Sequence, residues 1–347
     1  MFKLMRLLIL MGIFLLEGCF GVGIDVYDFQ SKKKMRIKPK GGYREIVICV
    51  NKKDKLFFTM QQINDSFLFR KFDFVGRVLD KEKVSGMELS NGYCDKSYYA
   101  VSSNLNDIIY FMDLNGSLFC FDINYRENVK IVDSSTVKGL SEKKGASYIT
   151  NIAYMFFINK DEVFIALNAW EDDEIKFLKL NVQTRRITLL RRLKCLSEEY
   201  CYLKEKNYLL YMEDSIRGCV YILNLNTNKI IGKILPNNNG RISCFNIDES
   251  GEKIVYCEEC EIKIFNLKNG KSRSIKSFDV EDLCYGIWFV NAGEYDLLYH
   301  VGRTSGFPSK LTLLNSKTGK TKKINIRPNG DVYVVDNGKK IIVEVGF

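Results

Sequence analysis

The chain has 347 residues, with 52 Lys and Arg against 42 Asp and Glu, for a formal net charge of +10. Hydrophobic residues make up 46% of it and aromatic residues 13%, which supports a sizeable core and excludes a disordered chain. A single histidine, His300, excludes His-rich metal clusters and leaves little room for Ser-His-Asp catalysis.

Lys3 and Arg6 lead into ten apolar residues, Leu7–Leu16. A bilayer span takes about 20 residues, so this run suits the core of a signal peptide instead. Leu16-Glu17-Gly18-Cys19 resembles a bacterial lipobox, in which cleavage before Cys is followed by lipid modification; Glu17 departs from the small or apolar residue usual there. The resemblance implies a signal peptide over 1–18, a lipidated Cys19, a tether over 19–22 and one domain over 23–347. Cleavage near Gly21-Val22-Gly23 and an uncleaved anchor are the other readings. Each exports the chain, to the cell envelope on the periplasmic or extracellular side.

From Val26 onward one hairpin recurs seven times: an apolar residue, Asp or Asn, a polar turn, then a Lys/Arg-rich strand. The copies are Val26–Lys34, Arg70–Val78, Leu118–Asn128, Phe177–Arg186, Tyr221–Lys229, Ile262–Lys271 and Leu311–Lys320. Their anchors Asp28, Asp73, Asp122, Asn181, Asn224, Asn266 and Asn315 stand 42 to 59 residues apart. One four-stranded propeller blade takes about 40–50 residues. Further β-rich runs lie upstream of most anchors, the clearest being Ile152–Ile158 with Glu162–Leu167 and Ile242–Ile247 with Lys253–Cys257.

The chain ends complement each other. Gly23–Phe29 and Met35–Lys38 read as an outer strand pair, and Asp331–Asp336 with Lys340–Gly346 as an inner pair. Pairing them into one blade closes a ring and removes exposed sheet edges. The expectation is an all-β, seven-bladed propeller of four-stranded blades closed between N- and C-terminal half-blades; a β-sandwich or open solenoid is the alternative. On these hairpins nearly the whole mature chain resembles the bacterial seven-bladed propellers of the YVTN/WD40-like superfamily. Trp-Asp and Gly-His signatures are absent, and a paired glycine occurs only at Gly41–Gly42, unlike kelch repeats.

Eleven cysteines leave an even ten once Cys19 is set aside, which is compatible with an oxidising compartment. Cys49, Cys120, Cys219 and Cys244 sit in strand patterns and read as core. Cys257 and Cys260 flank a two-residue turn and read as a candidate disulfide; no second C-x-x-C completes a zinc site. Trp170-Glu171-Asp172-Asp173-Glu174 reads as a solvated acidic turn, with Ca²⁺ or a basic partner as its sharper use. No other metal and no cofactor is expected. His300, at a strand end beside Arg303, is a pocket candidate or a satisfied blade-end residue.

Propeller phase puts the long connections Asp80–Lys96 and Asp133–Thr150 on the same face as the Trp170 and His300/Arg303 loops. Loops on a rigid scaffold are where binding resides. Tyr93, Tyr148, Trp170, Glu171, Asp172, Asp173, Trp288, His300 and Arg303 are therefore the candidate binding face, with core packing the alternative for Trp288. Phe20–Val22 reach only about 10 Å, which holds this face near the membrane if Cys19 is acylated. The functional expectation is a monomeric, membrane-tethered, non-enzymatic scaffold for a protein or an anionic envelope component, without nucleic acid. The alternative is a lactonase- or quinoprotein-like propeller enzyme, or a small-ligand sensor, with its site over the central channel.

Overall fold

The computed structural model describes residues 23–39, 45–52, 54–63, 66–85, 101–102, 108–112, 117–122, 127–132, 150–169, 174–193, 199–213, 218–237, 240–279, 282–303 and 310–345. Beyond a single 3-10 turn at Lys204–Lys206, the elements among them are strands. No helix among the described residues is long and apolar enough to cross a membrane.

Strands β1 (Gly23–Asp28) and β2 (Lys34–Ile37) come first. A sheet in chain order follows: β3 (Glu45–Asn51), β4 (Leu56–Ile63), β5 (Ser66–Asp73) and β6 (Val78–Ser85). The next comprises β7 (Val101–Ser102), β8 (Ile108–Met112), β9 (Leu118–Asp122) and β10 (Glu127–Val132). Then come β11 (Thr150–Phe157), β12 (Glu162–Ala169), β13 (Glu174–Asn181) and β14 (Arg186–Leu193). The following sheet is β15 (Tyr200–Leu203), β16 (Tyr208–Glu213), β17 (Cys219–Asn224) and β18 (Lys229–Ile234). Two more are β19 (Ile242–Ile247), β20 (Lys253–Glu258), β21 (Glu261–Asn266), β22 (Lys271–Ser277), and β23 (Asp282–Ala292), β24 (Tyr295–Arg303), β25 (Thr312–Leu314), β26 (Thr321–Lys323). β27 (Pro328–Val335) and β28 (Lys340–Val345) end the order.

The architecture is an all-β propeller of four-stranded antiparallel blades. The first and last strands share one sheet, in the order β2-β1-β28-β27, with Gly23 opposite Val345 and Asp28 opposite Lys340. Seven four-stranded sheets are present, yet the blade count is six against the expected seven. The β7–β10 sheet is the thinnest, its first strand reduced to Val101–Ser102. The described residues fall into two compact units, one within Met1–Met87 and Ile326–Phe347 and the other within Glu88–Asn325.

The repeated hairpin has a common chemistry. Oδ1 of Asp28 accepts the N–H groups of Gln30 and Ser31 at 2.8 and 2.9 Å. Asn224 does the same for Asn226 and Thr227, Asn266 for Lys268 and Asn269, and Asn315 for Lys317 and Thr318. A short carboxylate or amide thus satisfies donors that the turn would leave free. Four residues after the anchor the backbone turns left-handed: Lys32, Arg185, Asn228, Gly270 and Gly319 all have φ between 53° and 72°. The side chain fixes the turn, and the turn fixes the register of the third and fourth strands.

Alternating apolar residues on the inner strands build the cores. In the first unit Phe57, Phe72, Ile24 and Ile342 are buried together, with the Phe57 and Phe72 rings stacked at 5.0 Å. In the second, Phe156, Phe164, Phe177 and Tyr211 form an aromatic seam between successive sheets. The outer strands are exposed and basic, as in Lys271–Ser277 and Thr321–Lys323, which blunts the blade edges.

Candidate functional site

Cys19, Tyr93, Tyr148, Trp170, Glu171, Asp172 and Asp173 lie outside the described residues. Arg303 closes β24, and its side chain is also outside them. The segment from Asp80, expected as a connection, is strand as far as Ser85, where β6 pairs with β5. Trp288 and His300 do come together on the β23–β24 ladder. His300 is opposite Gly286, and Leu298 is opposite Trp288. A Cβ on Gly286 would sit 2.3 Å from the indole of Trp288, so glycine is what lets that ring lie on the backbone. Tyr285 is 54% exposed, and its ring centroid is 5.6 Å from that of His300.

Cys257 and Cys260, expected as a disulfide, are both free thiols, as are Cys244 and Cys284. Cys257 opposes Ile262 in the ladder and is buried, whereas Cys260 lies in the turn itself. The hairpin is as expected, but the side-chain alternation turns Cys257 into the core and away from Cys260.

That same turn borders a cavity of about 430 Å³. It is lined by Glu258, Glu259 and Glu261 from the β20–β21 hairpin, Lys263 from β21, Asn237 from the connection between β18 and β19, and Phe278 after β22. Glu258 is 4% exposed and Lys263 8%. Lys263 Nζ donates to Glu258 Oε2 at 2.7 Å and lies 3.2 Å from Glu261 Oε2. The backbone N–H of Asn237 donates to Glu258 Oε1. A Cβ on Gly240 would stand 2.7 Å from that same oxygen, so only glycine admits the connection this close to the carboxylate. The Phe278 N–H donates to the Cys260 carbonyl at 2.7 Å, which holds the ring beside the turn.

The electrostatics follow from burial. Burial alone would pull Lys263 down, but its hydrogen bonds to Glu258 and Glu261 and their negative charge outweigh it and hold the ammonium above its usual range. Three carboxylates against one ammonium leave the pocket acidic in a basic protein. Glu258 and Lys263 form the buried pair; Glu261, which shares the same ammonium, and exposed Glu259 are the carboxylates nearer solvent.

Part of this arrangement is structural repetition. Glu174-Ile175-Lys176 opens β13 as Glu261-Ile262-Lys263 opens β21, and Lys176 is again buried, 3.7 Å from Glu174. In the first unit Arg70 on β5 makes a two-pronged contact with fully buried Glu45, one arm at 2.8 Å. Burial pushes the Glu45 carboxyl up, and Arg70 and Thr59 offset this only in part. A buried cation on the third strand, paired with a carboxylate, thus recurs in three sheets, and the β19–β22 sheet is where it lines an open cavity.

Sequence reasoning passed over Glu258, Glu261 and Lys263 because a strand-end Glu and Lys read as solvated charge. The one available signal was the duplicated Glu-Ile-Lys at the start of two third strands.

No family model and no curated protein matches the sequence. Among solved structures the chain is similar to an oligogalacturonate lyase in complex with manganese, at 10% identity and a TM-score of 0.60, covering 94% of this chain and 97% of that one. It is also similar to the oligogalacturonate lyase of Vibrio parahaemolyticus, at 9% identity and a TM-score of 0.58, covering 92% and 89%. At this identity the likeness is one of fold. Among the described residues no three His, Cys, Asp or Glu side chains gather as a metal would require.

Proposed function

We propose that the chain is an exported, lipid-tethered propeller that binds a small organic amine beside the β20–β21 turn, its seven sheets acting as seven blades. The observation that carries this reading is the charge of the pocket: Glu258, Glu259 and Glu261 face only Lys263, while the whole chain is at +10. A cation entering there meets Glu259 and Glu261 directly. The Phe278 face adds a cation–π contact, worth about 0.5–2 kcal/mol. A carboxylated sugar would meet like charge at the same place. This favours the small-ligand form of the sequence's alternative reading over a protein scaffold.

A propeller enzyme acting on acidic sugars is the second reading, favoured by the likeness of fold to the two lyases. Calorimetric titration of the mature chain with spermidine, glucosamine and trigalacturonate separates them. The proposal expects heat with the amines and none with trigalacturonate. Trigalacturonate binding, or its cleavage with added manganese, would favour the enzyme reading and overturn the first.

A further inference from the structure

Three thiols meet inside the second unit, where Cys257 also donates to the Glu259 carbonyl of the pocket turn at 3.4 Å. Cys244 on β19 and Cys257 on β20 are register partners, and Cys284 comes from β23 of the next sheet. They are 2%, 0% and 3% exposed and share one apolar cluster with Val255, Ile262 and Ile287. The Cys244 and Cys284 sulfurs are 3.4 Å apart, in van der Waals contact. The strand β23 bulges between Cys284 and Gly286, and β19 between Ile242 and Cys244, so each thiol sits beside a local bend of its first strand. Such bends re-aim side chains.

We infer that Cys244 and Cys284 are a disulfide pair that staples the first strands of two successive sheets. The bond would close a loop of 40 residues, whereas Cys244 and Cys257 belong to strands that the ladder already holds. The chemistry balances with a small disulfide such as oxidised glutathione as oxidant. Each protein thiol gives up a proton, the Sγ–Sγ bond forms, and the two electrons reduce the donor's S–S bond to two thiols. Because both sulfurs are buried once the sheets pack, closure belongs to folding. Cys257 remains a thiol.

The test is refolding of the mature chain in a glutathione buffer, alkylation of remaining thiols, and peptide mapping without reduction. The expected product links the Cys244 and Cys284 peptides, with Cys257 alkylated. A Cys244–Cys257 or Cys257–Cys260 link, or alkylation of all three, overturns the inference. So does a stoichiometric metal held by the three thiols in native mass spectrometry. Cys257→Ala should retain the link and melt a few degrees lower after reduction; loss of the link in that variant would contradict the assignment. These outcomes do not depend on whether the neighbouring pocket binds an amine.

Discussion

Replacing Lys263 by Met should be among the more damaging single changes in the β19–β22 sheet. Met refills most of the lysine stem, so the loss is electrostatic rather than a cavity. Glu258, 4% exposed, would keep the Asn237 N–H but lose the ammonium at 2.7 Å. Breaking a buried pair from one side costs about 3–5 kcal/mol, because the remaining charge is uncompensated. Glu258→Gln should cost less, about 1–2 kcal/mol, since Lys263 keeps Glu261 and the amide oxygen can still accept from Asn237. The double variant should then fall short of the sum by about 1–3 kcal/mol. The folded Lys263 pKa lies above its unfolded value. Its contribution is therefore complete below about pH 10 and is lost only as pH rises through the folded value. Urea unfolding at neutral pH, followed by circular dichroism, measures all three variants. A Lys263→Met loss under about 1 kcal/mol, or strict additivity, would refute the reasoning.

Asn266→Ala should cost about 1 kcal/mol by thermal unfolding, through loss of its turn hydrogen bonds. Gly270→Ala should cost about as much for a different reason: φ is 66° and no atom lies within 4 Å, so the cost is conformational alone. Gly286→Ala should cost about 1–3 kcal/mol by displacing the Trp288 ring, and should shift tryptophan emission as well. The folded Glu45 pKa is raised, so its contribution is full below about pH 4 and is lost as pH rises through the folded value. Glu45→Gln should flatten that decline, read as the difference in unfolding free energy between acid and neutral pH. Cys19→Ser should abolish acyl labelling and membrane fractionation; unchanged fractionation would refute the tether.

The fold was legible because its signals are local and repeated. Asp28, Asn224, Asn266 and Asn315 announce their turns by residue type, and the side-chain hydrogen bonds explain why. The shared terminal sheet was legible from unmatched half-patterns, although β27 starts at Pro328 and not Asp331, with a register shift before Val332. The site was far less legible. Asn237 and Gly240 reach the buried Glu258 carboxylate from another connection, which no pattern within the β20–β21 hairpin encodes. Cys257 shows the same limit: its spacing to Cys260 pointed along the chain, whereas its neighbours Cys244 and Cys284 are 13 and 27 residues away in sequence. His300 and Trp288, expected on the loop face, lie on the β23–β24 ladder beside exposed Tyr285.

The most direct test of the amine site compares spermidine affinity of the mature chain with that of Glu261→Gln. Glu261 is 35% exposed at its side chain, so the substitution leaves the buried Glu258–Lys263 pair in place. Loss of one carboxylate within contact range of the cation predicts binding weaker by about tenfold. Equal affinity in the two proteins, or no binding in either, would contradict the account.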